Sequence, residues 1–195
     1  MPGEKVRVIL ITDGDSVAQS VVEELASELG LRCISASAGN PTPIDGPEIV
    51  RLLKETPRDP VLVMFDDKGL SERGEGECAL AFVATHPDVE VLGAVAVASN
   101  ALDFTGARVD ASVTAQGAVV KAPVNKKGEI VANPPGARGP VVRGDTVDVL
   151  DELDIPVVIG IGDIGKMKRC DDLLYGAPVT RRAIEEILRR NHIGL

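Results

Sequence analysis

The first hundred residues alternate unbroken aliphatic runs with apolar positions at helical spacing, joined by short connections, and this alternation predicts a doubly wound, mostly parallel sheet. Strands buried on both faces read as continuous Val, Ile and Leu runs rather than as alternating ones. Val6 to Thr12 is such a run. Val17, Val21, Leu25 and Leu29 then recur at helical spacing, with Asp15 or Ser16 as N-cap and Gly30 as the stop. Leu31 to Ala36 reads as the second strand, and Gly39-Asn40-Pro41-Thr42-Pro43 as a loop. A helix from Gly46 to Lys54 turns Ile49, Leu52 and Leu53 inward. Pro60 to Phe65 is the third strand, Gly69 to Gly76 a Gly-rich loop, Glu77 to Ala84 a helix, and Val89 to Ser99 the fourth strand.

From Leu102 to Arg143 the pattern changes to short period-two stretches such as Val109-Asp110-Ala111-Ser112-Val113, broken by Gly117, Gly128 and Pro134-Pro135, which predicts a small β-rich insertion of hairpins. The α/β pattern resumes with a helix over Thr146 to Leu153, a strand over Pro156 to Ile159, and a last helix capped by Thr180 that buries Ile184, Ile187 and Leu188. A chain of 195 residues fits one domain, so the expectation is a single α/β domain over 1–195, Rossmann-like or Toprim-like, with the β-rich insertion at 102–143. Apolar residues make up 44% of the chain and aromatics only 2%, so this core is built from aliphatic side chains.

A net charge of −9 opposes binding to a phosphate backbone, which relies on Lys and Arg releasing counterions. One Tyr, three Phe and no Trp leave no platform for base stacking, so no nucleic-acid partner is expected. Cys33, Cys78 and Cys170 are odd in number and far apart, which implies neither a disulfide framework nor a zinc site. Residues 1–5 run into a strand with no apolar stretch of the signal-peptide kind, and the run Val91 to Ala98 is far short of the ~20 residues that span a bilayer. The expectation is a soluble protein, cytoplasmic or peripheral at a membrane.

Ligands of doubly wound sheets sit outside the carboxyl ends of the strands, where the strand order reverses. Asp13 and Asp15 follow the first strand, Asp66 and Asp67 the third, and Asp163 a later one. Carboxylates gathered there repel unless a cation joins them, and hard oxygen donors select Ca²⁺ or Mg²⁺. Lys68 is placed to contact a ligand anion or to neutralise the acids. Ser35, Ser37 and Asn40 after strand two, and Ser99-Asn100 after strand four, flank the same edge as hydrogen-bonding candidates. A plainer reading stands beside each: Asp15 as a helix cap, Asp67-Lys68-Gly69 as an ordinary turn, and the Ser and Asn residues as loop formers.

Gly160-Ile161-Gly162-Asp163-Ile164-Gly165-Lys166 matches G-x-G-x-x-G and nearly matches a P-loop. Met167 replaces the hydroxyl residue that would hold Mg²⁺, and Tyr175-Gly176-Ala177-Pro178 interrupts the helix that should follow, so no nucleotide is expected, nor haem. No G-x-S-x-G is present and His86 and His192 are badly placed for a triad, so no catalytic residue is assigned.

Thr12-Asp13-Gly14-Asp15, Ile34 to Thr42, Asp59 to Gly69 (DPVLVMFDDKG), Val91 to Asn100 (VLGAVAVASN) and Gly144 to Met167 (GDTVDVLDELDIPVVIGIGDIGKM) together resemble the stage V sporulation protein AE family. The resemblance implies a protein of spore-forming bacteria, the water-soluble member of a set whose membrane proteins move calcium dipicolinate across the spore inner membrane in sporulation and germination. Its implied partners are the membrane proteins of the stage V sporulation A set, a small anionic ligand or metal, and a second copy of the chain. Toprim domains carry a Glu after the first strand and Asp-x-Asp after the third, whereas here Asp-x-Asp is first and Asp-Asp third. Three functions follow: a binding or accessory module, a Mg²⁺-dependent phosphoryl-transfer or phosphodiester enzyme, and a purely structural partner. The missing nucleophile and the acidic charge favour the first.

Overall fold

A computed structural model describes residues 5–67, 73–99 and 105–194. Lys68 and Asn100, both expected at the ligand edge, lie outside the described residues.

Strand β1 (Val6–Ile11) leads through helix α1 (Ser16–Glu28) to the short β2 (Arg32–Cys33), and helix α2 (Gly46–Glu55) returns the chain to β3 (Val61–Met64). Helix α3 (Glu75–Thr85) then carries it across to β4 (Val89–Val97). Four short strands follow, β5 (Ala107–Arg108), β6 (Ala111–Val113), β7 (Val119–Val120) and β8 (Val141–Val142), before β9 (Val158–Ile161) and helix α4 (Pro178–Arg190). The main sheet has the order β2-β3-β1-β4-β9-β6-β7, parallel except for β7 at its edge, and β5 pairs with β8 in a separate antiparallel ribbon. The doubly wound α/β class expected from the alternation is the fold observed.

Alternation along each strand divides the core into two layers. Ile9, Ile11, Leu62, Met64, Val95 and Val97 pack with α1 and α4 on one face. Val8, Leu10, Val63, Phe65, Ala94 and Ala96 pack with α2 and α3 on the other. The register sets Ile11 beside both Met64 and Val95, and Val97 beside Ile161, so β1 and β3 end together and β4 and β9 together two residues further on. Ends this close put the residues that follow them around one opening.

Several local expectations change. The run Leu31 to Ala36 is strand only at Arg32–Cys33, and Ser35–Ser37 is a 3₁₀ turn, because the Ser37 hydroxyl donates to Ile34 O (2.8 Å) and accepts from Met64 N (3.1 Å). Residues Asp148–Glu152 form a 3₁₀ turn instead of an α-helix. Their acids bond elsewhere: Asp148 accepts from Thr105 N and Gly106 N, and Asp151 from Arg108 N. Thr180 does not cap α4 but lies inside it. The buried Asp171 accepts from Val179 N, Thr180 N and the Thr180 hydroxyl (2.8, 2.9 and 2.6 Å) and so supplies the cap from outside. Val17 is 47% exposed rather than inward. The β-rich insertion does not stand apart, because β6 joins the main sheet parallel to β9. Among the described residues no helix is long and apolar enough to cross a membrane.

Candidate functional site

Helix α1 leaves β1 over one face of the sheet, whereas α3 leaves β3 over the other, so the connections part between the ends of these neighbouring strands. A polar cavity of about 80 Å³ opens there. Thr12, Asp13 and Asp15 line it from the end of β1, Asp66 from β3, Ser99 from β4, and Asp163 and Lys166 from β9. Asn40 and Asp145 complete the wall from loops.

Backbone anchors hold these groups in place. The Thr12 hydroxyl accepts from Val97 N at 2.9 Å and ties β1 to β4. Thr42 exchanges bonds with Asp66, its N–H donating to Asp66 O and its hydroxyl accepting from Asp66 N (both 2.9 Å), which folds the Asn40 loop over the end of β3. Gly14 is needed for closeness: a Cβ there would sit 3.1 Å from Gly39 O and 3.2 Å from Asp66 Cβ. Its N–H donates to Asp66 Oδ2 at 3.3 Å and its carbonyl accepts from Gly39 N at 2.7 Å.

The expected acids divide by role. Asp13, Asp66 and Asp163 are 8%, 5% and 6% exposed and face the cavity together. Asp15 does both jobs, since one oxygen caps α1 through Val17 N and Ala18 N (2.8 and 2.9 Å) while the residue lines the cavity. Asp67 is drawn away: its carboxylate accepts from Gly76 N and Glu77 N (both 2.9 Å) and closes the N-terminus of α3. Asn40 lines the cavity, while Ser37 is consumed in its own turn and Ser35 is an exposed residue away from the wall.

Burial of like charges decides the protonation of this cluster. The Asp13 carboxyl is pushed well above the usual carboxylate range, by burial first and then by Asp15, Asp66 and Asp163. Burial, with Asp145 next, pushes Asp66 up to about 7 against two backbone N–H bonds that pull it down. Asp145 is raised by burial as well. Burial raises Asp163, but Lys166 Nζ lies 2.5 Å from its Oδ2 and works against that rise. The same hydrogen bond raises the Lys166 ammonium. Burial thus favours the neutral form of Asp13, Asp66 and Asp145, while Lys166, and more weakly Lys126, favour the charged form of Asp163.

The donor chemistry is of the hard oxygen kind that suits Ca²⁺ or Mg²⁺. The placement is not: among the described residues no three His, Cys, Asp or Glu side chains gather so as to hold a metal ion. Asp67 is spent on α3 and Asp163 is paired with Lys166, which leaves Asp13, Asp15, Asp66 and Asp145 as the other carboxylates of the cavity wall.

Asp145 and Lys166 are the site residues that strand-end reasoning missed. Lys166 stands in the P-loop-like string, where it is tied to Asp163 instead of a phosphate. The glycines of that string serve packing, because a Cβ at Gly160 would lie 2.6 Å from Val142 Cγ2, and one at Gly162 would lie 2.6 Å from Gly128 N. Asp145 is brought in by its N–H, which donates to Ser99 Oγ at 3.2 Å.

A parallel sheet wound on both faces, with buried polar groups converging where its connections part, defines a doubly wound α/β protein with a polar cavity at the carboxyl ends of its strands. The family model described as stage V sporulation protein AE1 matches residues 7–191. The chain belongs to that family, and its role is related to sporulation. Neither a curated protein nor a solved structure matches it.

Proposed function

We propose that this chain is an accessory binding protein of sporulation and germination that acts with the membrane proteins of the stage V sporulation A set in moving calcium dipicolinate across the spore inner membrane. The observation that carries the reading is the family match over residues 7–191. The chain works at the membrane surface, from the water phase. Its acidic edge supplies contact chemistry rather than catalysis. With Asp66 pushed up to about 7 by burial, the edge gains negative charge as pH rises through that value. A cavity of about 80 Å³ holds two or three waters or a small ion, not an organic molecule.

Deleting the coding sequence in a spore former and measuring the dipicolinate content of spores and its release on germination tests the role. Lower content or slower release, restored by the wild-type chain, is expected; unchanged content and release would remove it. Calorimetry with Ca²⁺ and Mg²⁺ tests the edge separately. A proton-held edge gives no saturable heat, whereas one-to-one binding abolished by Asp13→Asn would replace this description with a metal site.

A further inference from the structure

A second and larger cavity, of about 670 Å³, lies on the other side of Ser99 from the acidic one. Its size is that of small-molecule sites, ~300 to 1,000 Å³. Val124, Val131, Ala132, Pro134 and Val141 give it an apolar floor. Lys126, Lys127 and Arg143 set three cationic groups in its lining against the single carboxylate of Glu129. In a chain of net charge −9 this is a local inversion of sign.

The cavity is built into the fold. Ser99 N donates to Arg143 O at 3.0 Å while Ser99 Oγ accepts from Asp145 N, so one residue at the end of β4 anchors the backbone of a residue from each lining. Asp163 N donates to Lys126 O at 2.9 Å and joins the two linings at the end of β9, where the Lys126 charge also acts on Asp163. The turn that carries the lysines is fixed by Asn125, whose Oδ1 accepts from Lys127 N and Glu129 N and whose carbonyl accepts from Gly128 N. Gly128 (φ +72°) allows that turn, and a Cβ there would lie 2.8 Å from Ala115 N. A lining of three basic residues beside apolar ones at the carboxyl edge of the sheet suits an anion with an apolar body.

We propose that the cavity bounded by Ser99, Val124–Lys127 and Arg143 binds a small organic dianion, with Lys126, Lys127 and Arg143 engaging its carboxylate or phosphate groups and the apolar floor its carbon skeleton. This site stands on the cavity alone and does not depend on the sporulation role. The probes are benzene-1,3-dicarboxylate and phenyl phosphate, which separate carboxylate from phosphate recognition, with the neutral dimethyl ester of the first as control. Calorimetry on the full chain is expected to show saturable binding of at least one anion and none of the ester. Binding should weaken about 10-fold or more in a Lys126→Gln, Lys127→Gln, Arg143→Gln variant, and also when salt rises from about 0.05 M to about 0.5 M. The single Lys127→Gln variant, at an exposed position, carries the test if the triple variant melts early. No saturable heat with either anion, equal binding of the ester, or affinity indifferent to these substitutions would overturn the proposal.

Discussion

Replacing Asp66 by Asn removes an ionisable carboxyl that burial and Asp145 push from 3.8 up to about 7. The folded protein holds this proton more tightly than the unfolded chain does. Protonation of Asp66 therefore favours folding: its contribution is complete below about pH 3.8 and is lost as pH rises through about 7. A displacement from 3.8 to about 7, at ~1.4 kcal/mol per unit, bounds the loss at ~4 kcal/mol, and solvent screening at the cavity mouth brings it to ~2 kcal/mol. Asn imitates the protonated form. It keeps an acceptor for Asp67 N (2.9 Å) and loses the one that takes Gly14 N (3.3 Å), which costs ~1 kcal/mol at every pH. Removing the Asp66 charge also relieves Asp13, which adds in the same direction. Urea unfolding of both proteins at about pH 4, 6 and 8 measures the difference. The variant should be the less stable at the lowest pH and gain ~2 kcal/mol on wild type by the highest. Stability curves that stay parallel over this range would refute the assignment of a raised Asp66.

Asp171→Ala leaves two buried N–H groups and one hydroxyl at the start of α4 without their acceptor and should cost ~3 kcal/mol, read as a fall in thermal midpoint of ~6 to 12 °C. Gly76→Ala places a Cβ 2.3 Å from Asp66 O, backbone that cannot yield, so α3 must shift and loosen its cap on Asp67; a loss of ~2 kcal/mol or more is expected in urea unfolding, with amide shifts at Asp66 and Asp67 in NMR spectra. Lys166→Met removes the cation that opposes the burial of Asp163, and the pH dependence of the Asp163 amide resonance should move upward.

The parts of the fold that were legible in the sequence are those fixed by local pattern. β1, β3 and β4 are aliphatic runs buried on both faces, and the expected strands there coincide with the observed ones to within two residues at either end. The insertion was harder because β6 is three residues long and its place beside β9 depends on a pairing 48 residues away in sequence. The turn at Asp148–Glu152 carries helical spacing but yields to bonds from Asp148 to backbone near β5, about 43 residues distant, which no local pattern records. The site divides likewise. Asp13 and Asp66 follow from the rule of strand ends, whereas Asp67, one residue on, is turned away by the N-terminus of α3. Asp145 arrives through a contact with Ser99, 46 residues away, which spacing cannot show, whereas Lys166 stands three residues from Asp163 in a string whose P-loop likeness drew attention to phosphate rather than to that carboxylate.

A carboxyl-carbon NMR titration of protein labelled at aspartate, from about pH 2 to about pH 9, tests the proton-held acidic edge directly. Asp66 should titrate at about 7, and Asp13 well above the ordinary aspartate value. If both titrate near that ordinary value of ~3.9, the inner carboxyls are charged at neutral pH, and protons are not what holds this edge together.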